Sequence, residues 1–148
     1  MEEGVSGMTR LNVCVIWSPG RDKILMCLRR KEPYKGKFNM PGGHIEDGED
    51  HLDAAYRELY EETAVTRDDV ELTHFMDFTY HLHGMVIEVY FGILRHEVEV
   101  HGEENDLYWL PLTENFFDYD RFAGDGNIGH IMRLLKARYP ETKTEETE

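Results

Sequence analysis

Between residues 50 and 63 the side chains Leu52, Ala55, Tyr56, Leu59 and Thr63 recur every three or four positions, a helical period, while the segments around them are short β-type runs. A single amphipathic helix among strands must bury its face on a sheet, which restricts the chain to a mixed α/β domain with helices packed on that sheet. Asp50, followed by Asp53 three residues later, marks the N-cap and places the helix over residues 50–63. Residues 11–17 (LNVCVIW) and 24–28 (ILMCL) read as a buried hairpin around Ser18-Pro19-Gly20. Residues 72–80 and 86–94 read as two strands joined near His83-Gly84. Residues 98–101 are expected to extend the sheet, and residues 107–110 to form a short strand closed by Pro111. After an aromatic, turn-rich loop (FFDYDRFAGDGN), Ile128, Ile131, Met132, Leu134 and Leu135 return to helical spacing.

A chain of 148 residues with 41% apolar content supports one domain with its own core. The expected organisation is a flexible segment at residues 1–8, the domain at 9–139 and an acidic disordered tail at 140–148. No apolar run reaches the length of a membrane span, and the acidic start lacks the pattern of a secretory signal, so the expected location is the cytoplasm. Cys14 and Cys27 sit inside apolar runs and form no metal knuckle, so both read as core residues. A net charge of -14 argues against a nucleic-acid polymer as partner. It leaves room for a small phosphorylated ligand when divalent cations stand between the two sets of negative charge.

Glu58, Glu61 and Glu62 stand at i, i+3 and i+4 of the first helix and form one stripe roughly 100° wide. Like charges one turn apart repel, and carboxylates in the last turn face the negative end of the helix dipole. A solvated acidic face relieved by an Arg57–Glu61 pair is one reading. The other is a set of hard oxygen ligands for Mg²⁺ or Mn²⁺.

The segment GGHIEDGEDHLDAAYRELYEETAV resembles the Nudix box, Gly-x5-Glu-x7-Arg-Glu-U-x-Glu-Glu-x-Gly-U, with U a bulky aliphatic residue. Gly43, Glu49, Arg57, Glu58, Leu59, Glu61, Glu62 and Val65 fall at its spacing, and Ala64 stands where the family has glycine. The resemblance implies an α/β/α sandwich with a mixed β-sheet over roughly residues 9–139. It also implies hydrolysis of phosphoanhydride bonds with Mg²⁺ or Mn²⁺. It casts Glu58, Glu61 and Glu62 as metal ligands with the Gly43 carbonyl, Arg57 as the group that orients the glutamates, and Glu49 as its support. Family members often add a loop acid, for which Glu104, beside Glu103, is the candidate. Arg29 and Arg30 end the second strand near the expected mouth, where they could contact substrate phosphates.

GKFNMPGG is similar to the GxWNxxGG of MutT-like enzymes that remove oxidised purine nucleotides, which puts Asn39 at the base. FAGDGN is similar to the aromatic-x-x-Asp loop of the same group, with Phe122 stacking and Asp125 at the purine edge; the alternative is that Asn39 and Asp125 make turn hydrogen bonds and Phe122 packs in the core. The resemblance therefore points to a nucleoside triphosphate pyrophosphohydrolase acting on oxidised dGTP, as a monomer or homodimer. Hydrolysis of ADP-ribose or dinucleoside polyphosphates keeps the chemistry and changes the leaving groups. A nucleotide sensor without catalysis is the third reading, against which stands the complete set of box glutamates. The eight histidines show no ligand spacing and read as exposed polar residues.

Overall fold

The computed structural model describes residues 8–139. The expected flexible segment before Met8 and the expected acidic tail lie outside the described residues. Among the described residues seven strands form one sheet: β1 (Thr9–Trp17), β2 (Lys23–Leu28), β3 (Phe38–Asn39), β4 (Gly42–His44), β5 (Thr73–Tyr80), β6 (Met85–Ile93) and β7 (Asp106–Pro111). Two helices, α1 (His51–Thr63) and α2 (Asn127–Arg138), cover its faces.

The continuous apolar runs of β1 and β2 follow from burial on both sides of the sheet. Val15 and Trp17 of β1, with Ile24 and Met26 of β2, face α2 and meet Ile128, Ile131 and Leu135. The alternate residues Cys14, Ile16 and Leu25 face α1 and meet Ala55 and Leu59. Each strand thus feeds two cores through its period of two, and the result is the expected α/β/α sandwich with a mixed sheet. Burial of each large side chain contributes about 1.5–3 kcal/mol before chain entropy is subtracted. Cys14 and Cys27 are buried free thiols, as their apolar settings require.

Strand pairing departs from the local hairpin reading. β1 and β2 meet in register only at Trp17 and Ile24. Along its whole length β1 instead runs parallel to β6, from Thr9 opposite Met85 to Trp17 opposite Ile93. β2 pairs antiparallel with β7, from Lys23 opposite Pro111 to Leu28 opposite Asp106. The divergence leaves the other edge of β1 free to take β4 through Leu11, Asn12 and Val13. β5 and β6 are joined by a single 3-10 turn, His81–His83, closed by Gly84 in the left-handed region. Residues 98–101 form no strand; Val98 and Val100 pack on the α1 core, and the His101 amide donates to the Thr63 carbonyl. Among the described residues no helix is long and apolar enough to cross a membrane.

α1 begins at Asp50, whose carboxylate accepts from the Asp53 amide at 3.0 Å. It ends at Ala64, which adopts φ 70° and ψ 10° and donates its amide to Tyr60. A left-handed residue at this point is the usual way to close a helix, and glycine does it without a steric penalty.

Candidate active site

Where β2 turns away from β1, a cavity of about 800 Å³ opens between β4, α1, the β5–β6 end and the start of α2. That volume is the size of a nucleotide-scale ligand pocket. Gly43, Glu58, Glu61, Glu62, Arg29, Asn39, Asp125, Glu103 and Glu104 all line it, so one fold brings together residues that lie up to 96 positions apart. His83 lines it too, and both His81 and His83 are exposed.

The carboxylate wall is organised by Arg57. Its Nε donates to Glu49 Oε2 at 2.7 Å and its Nη2 to Glu49 Oε1 at 2.9 Å, a two-pronged pairing. Nη2 also donates to the His44 carbonyl, and Nη1 reaches Glu58 at 3.1 Å and Glu61 at 3.3 Å. The hydrogen bonds from Arg57 hold the Glu49 carboxyl down at about 2, and Glu49 in return stabilises the charged guanidinium. One arginine therefore ties the β4–α1 loop to the stripe and fixes the direction of two of its glutamates.

Burial pushes the Glu58 carboxyl above its ordinary range; Arg57 opposes the shift and Glu61 adds to it. Burial also raises Glu62, with repulsion from Glu58 and Glu104 on top, while the Cys27 thiol and the Gly42 amide pull in the other direction. The Cys27 Sγ donates to Glu62 Oε1 at 3.6 Å. Glycine is required at Gly42 by the backbone facing it, and at Gly43 it leaves the Glu58 carboxylate its place. A Cβ on Gly42 would overlap the Asn12 carbonyl, and one on Gly43 would overlap the Glu58 carboxylate.

Among the described residues, no three carboxylate, imidazole or thiol groups converge into a ready ligand set, and Arg57 holds Glu58 and Glu61. The donors nonetheless fit a hard divalent cation. They are carboxylate oxygens, they crowd one another, and the bare backbone of Gly43 lies against Glu58 where a side chain would intrude.

Asn39, paired with Cys27 across β3 and β2, lines the same cavity; its Oδ1 accepts from the Met40 amide at 2.9 Å, which leaves its NH₂ group to offer a ligand. Asp125, in the left-handed region at φ 56°, accepts from the Tyr34 hydroxyl at 3.4 Å. Burial, then repulsion from Tyr34 and Asp125, lifts the Tyr80 phenol to about 12 and keeps it a donor.

Two sequence expectations are corrected. Phe122 does not line the cavity: it is 2% exposed, packed against Phe38 and Phe116, and shores up the wall from behind. Arg30 points away and pairs with Asp106 on the exposed sheet edge, whereas Arg29 does reach the cavity. The rings that face the ligand space are Tyr34, Phe78 and Tyr80. They went unnoticed because aromatic residues in strands and turns read as core. Asn12 was missed as well, although a polar amide inside LNVCVIW was a signal.

An α/β/α sandwich carrying a Gly-Gly turn and an arginine-clamped glutamate stripe on its first helix defines a class. The NUDIX domain model matches residues 8–132, and the chain belongs to the NUDIX family. Two curated relatives match over short stretches: an ADP-ribose pyrophosphatase of Methanocaldococcus jannaschii, 46% identical over 44 residues, and an RNA pyrophosphohydrolase of Pelagibacter ubique, 42% identical over 45. Each match covers 30% of this chain and spans only 26% and 28% of those relatives.

Solved structures extend the likeness to the whole fold. A MutT structure from work on Aliivibrio salmonicida and Vibrio cholerae has a TM-score of 0.67 and 22% identity, covering 88% of this chain and 98% of that one. A C. elegans Ap4A hydrolase has a TM-score of 0.69 and 19% identity, covering 88% and 99%. A bifunctional NMN adenylyltransferase/ADP-ribose pyrophosphatase of Francisella tularensis, complexed with AMP and a Mn ion, has a TM-score of 0.69 and 23% identity, covering 88% and 42%. At these identities the likeness is one of fold.

Proposed function

We propose that this protein is a divalent-cation-dependent pyrophosphohydrolase that cuts a nucleoside di- or triphosphate at its phosphoanhydride. The observation that carries the reading is the Arg57-clamped stripe of Glu58, Glu61 and Glu62 forming one wall of a nucleotide-sized cavity. Glu58, Glu61, Glu62 and the Gly43 carbonyl would hold Mg²⁺ or Mn²⁺, which when bound neutralises phosphate oxygens and primes a water for attack. Glu62, half-buried beside Cys27 on the stripe, would accept a proton from the attacking water, and Glu104 would complete the acidic cluster. Arg57 keeps Glu58 and Glu61 oriented, and Arg29 is the cation placed to meet a phosphate.

For the substrate, the reading is a MutT-like triphosphatase releasing monophosphate and pyrophosphate, with preference for an oxidised purine such as 8-oxo-dGTP. Asn39 and Asp125 line the cavity and would supply a donor and an acceptor for a base edge. Tyr34, Phe78 and Tyr80 take the stacking role expected of Phe122. ADP-ribose or dinucleoside polyphosphates are the second reading, favoured by the names of the curated and structural relatives. The test is kcat/KM with Mg²⁺ across oxidised and normal dGTP, ADP-ribose and a dinucleoside polyphosphate. Equal values for oxidised and normal dGTP would remove the oxidised-purine preference, and binding without turnover of any of them would leave a sensor.

A further inference from the structure

Asn12 lies in the middle of β1, 1% exposed, on the face that carries Cys14 and Ile16 toward α1. Its Oδ1 accepts from the Gly43 amide at 3.1 Å. Because the Gly43 N–H needs an acceptor, this contact fixes which end of the side-chain amide is which. The Nδ2 end is then a buried donor without a hydrogen-bond partner among the described residues. Buried donors in native proteins are nearly always paired, so an orphan next to a functional cavity calls for an explanation.

The neighbours do not supply one. Glu88, directly opposite Asn12 on β6, is already engaged at both oxygens: Oε1 accepts from Tyr90 at 2.8 Å, and Oε2 meets Arg10 at 2.9 Å and His51 at 2.7 Å. Glu58, across Gly43, is held by Arg57. Asn12 itself lines the cavity, beside the Gly42–Gly43 turn where no side chain fits. A ligand with anionic oxygens entering between that turn and the glutamate stripe, and moving the Glu58 carboxylate from against Gly43, would uncover a neutral donor there among acids.

We propose that Asn12 is a phosphate-binding residue of this site, donating through Nδ2 to a phosphoryl oxygen on the Gly43 side of the stripe. The proposal rests on the reading that the cavity takes a polyphosphate. It explains why a strand otherwise filled with apolar residues keeps an amide at this one buried position.

The experiment is titration calorimetry with inorganic pyrophosphate and Mg²⁺, and separately with Mn²⁺ alone, on the wild type, Asn12→Asp and Asn12→Ser. Asp keeps the acceptor for Gly43 but loses the donor; Ser is uncharged and too short to reach. Both variants are expected to bind pyrophosphate about tenfold more weakly or worse, since hydrogen bonds to charged groups carry at least that much affinity. Neither is expected to bind Mn²⁺ less tightly. Wild-type affinity in the Ser variant would overturn the proposal, because a loss confined to Asp is charge repulsion. An equal loss for Mn²⁺ alone would overturn it too, by making Asn12 a support of the carboxylates. If the wild type takes pyrophosphate but no nucleotide, the nucleotide reading fails while this one stands; if it takes neither, both fail.

Discussion

Ala64 occupies the helix exit in a left-handed conformation, with φ 70° and ψ 10°. The conformation is imposed from several directions. The Ala64 amide donates to Tyr60 at 2.8 Å, and Thr63 Oγ1 both donates to Leu59 at 2.7 Å and accepts from the Val65 amide at 3.1 Å. An alanine held there is strained by about 1–2 kcal/mol relative to glycine. Glycine loses more chain entropy on folding, which returns about 0.4–1 kcal/mol of the difference. Ala64→Gly should therefore stabilise the protein by about 0.5–1 kcal/mol, and for a domain of this size that raises Tm by about 1–4 °C. The assay is paired thermal melts at one metal concentration, with kcat/KM measured alongside, which should stay within about twofold because the residue touches no ligand space. A lower Tm for the glycine variant would refute the strain argument and show that the hydrogen bonds around Thr63, not backbone relief, dominate the exit.

Glu61→Gln and Glu62→Gln should each lower turnover by orders of magnitude in steady-state assays while circular dichroism stays unchanged, since size and helix propensity are retained. For Glu62→Gln the metal-free melting temperature should not fall, because a carboxylate that burial and two neighbours make costly has been removed. Glu49 has its folded pKa depressed from 4.5 to about 2, so its contribution is present above pH 4.5 and lost as pH falls through about 2. Denaturation of wild type and Glu49→Gln across pH should show curves separated at neutral pH that converge toward pH 2. Phe122→Ala should destabilise by about 3–5 kcal/mol in urea melts, as a buried ring does, and leave base selectivity unchanged. Asn39→Ala and Asp125→Ala should instead erode discrimination between oxidised and normal dGTP in kcat/KM, with little change in stability.

The helical signals in the sequence proved faithful to local structure, whereas the short apolar run at residues 98–101 forms no strand. Asp50 caps α1 as its spacing with Asp53 required, and the apolar stripe through Ala55 and Leu59 is buried. Of the box positions, Gly43, Glu58, Glu61 and Glu62 line the cavity, Glu49 and Arg57 brace the stripe, and Leu59 and Val65 are buried in the core, all carried by a single helix and the segments flanking it. What the sequence did not disclose is partner choice over long range. Residues 11–17 and 24–28 look like a hairpin, yet each finds its main partner more than 70 residues away, since loop-closure entropy rises only slowly with length and both runs need cover on two faces. The two-residue strand β3 and the three-residue β4 leave no periodicity to read. Phe122 and Arg30 show the same limit at side-chain scale: a motif placed the one near the site and a strand end the other, but the turn at residues 121–124 and the exposed edge beside Asp106 decide which way they face.

The most direct test of the central claim is product analysis after incubation of a nucleoside triphosphate with the wild-type protein and Mg²⁺, resolved by phosphorus NMR. The account predicts monophosphate and pyrophosphate in equal amounts, dependent on the cation and abolished in Glu62→Gln. Turnover that survives chelation, or survives the Glu62→Gln substitution at its wild-type rate, would contradict it and move the active site away from the arginine-clamped stripe.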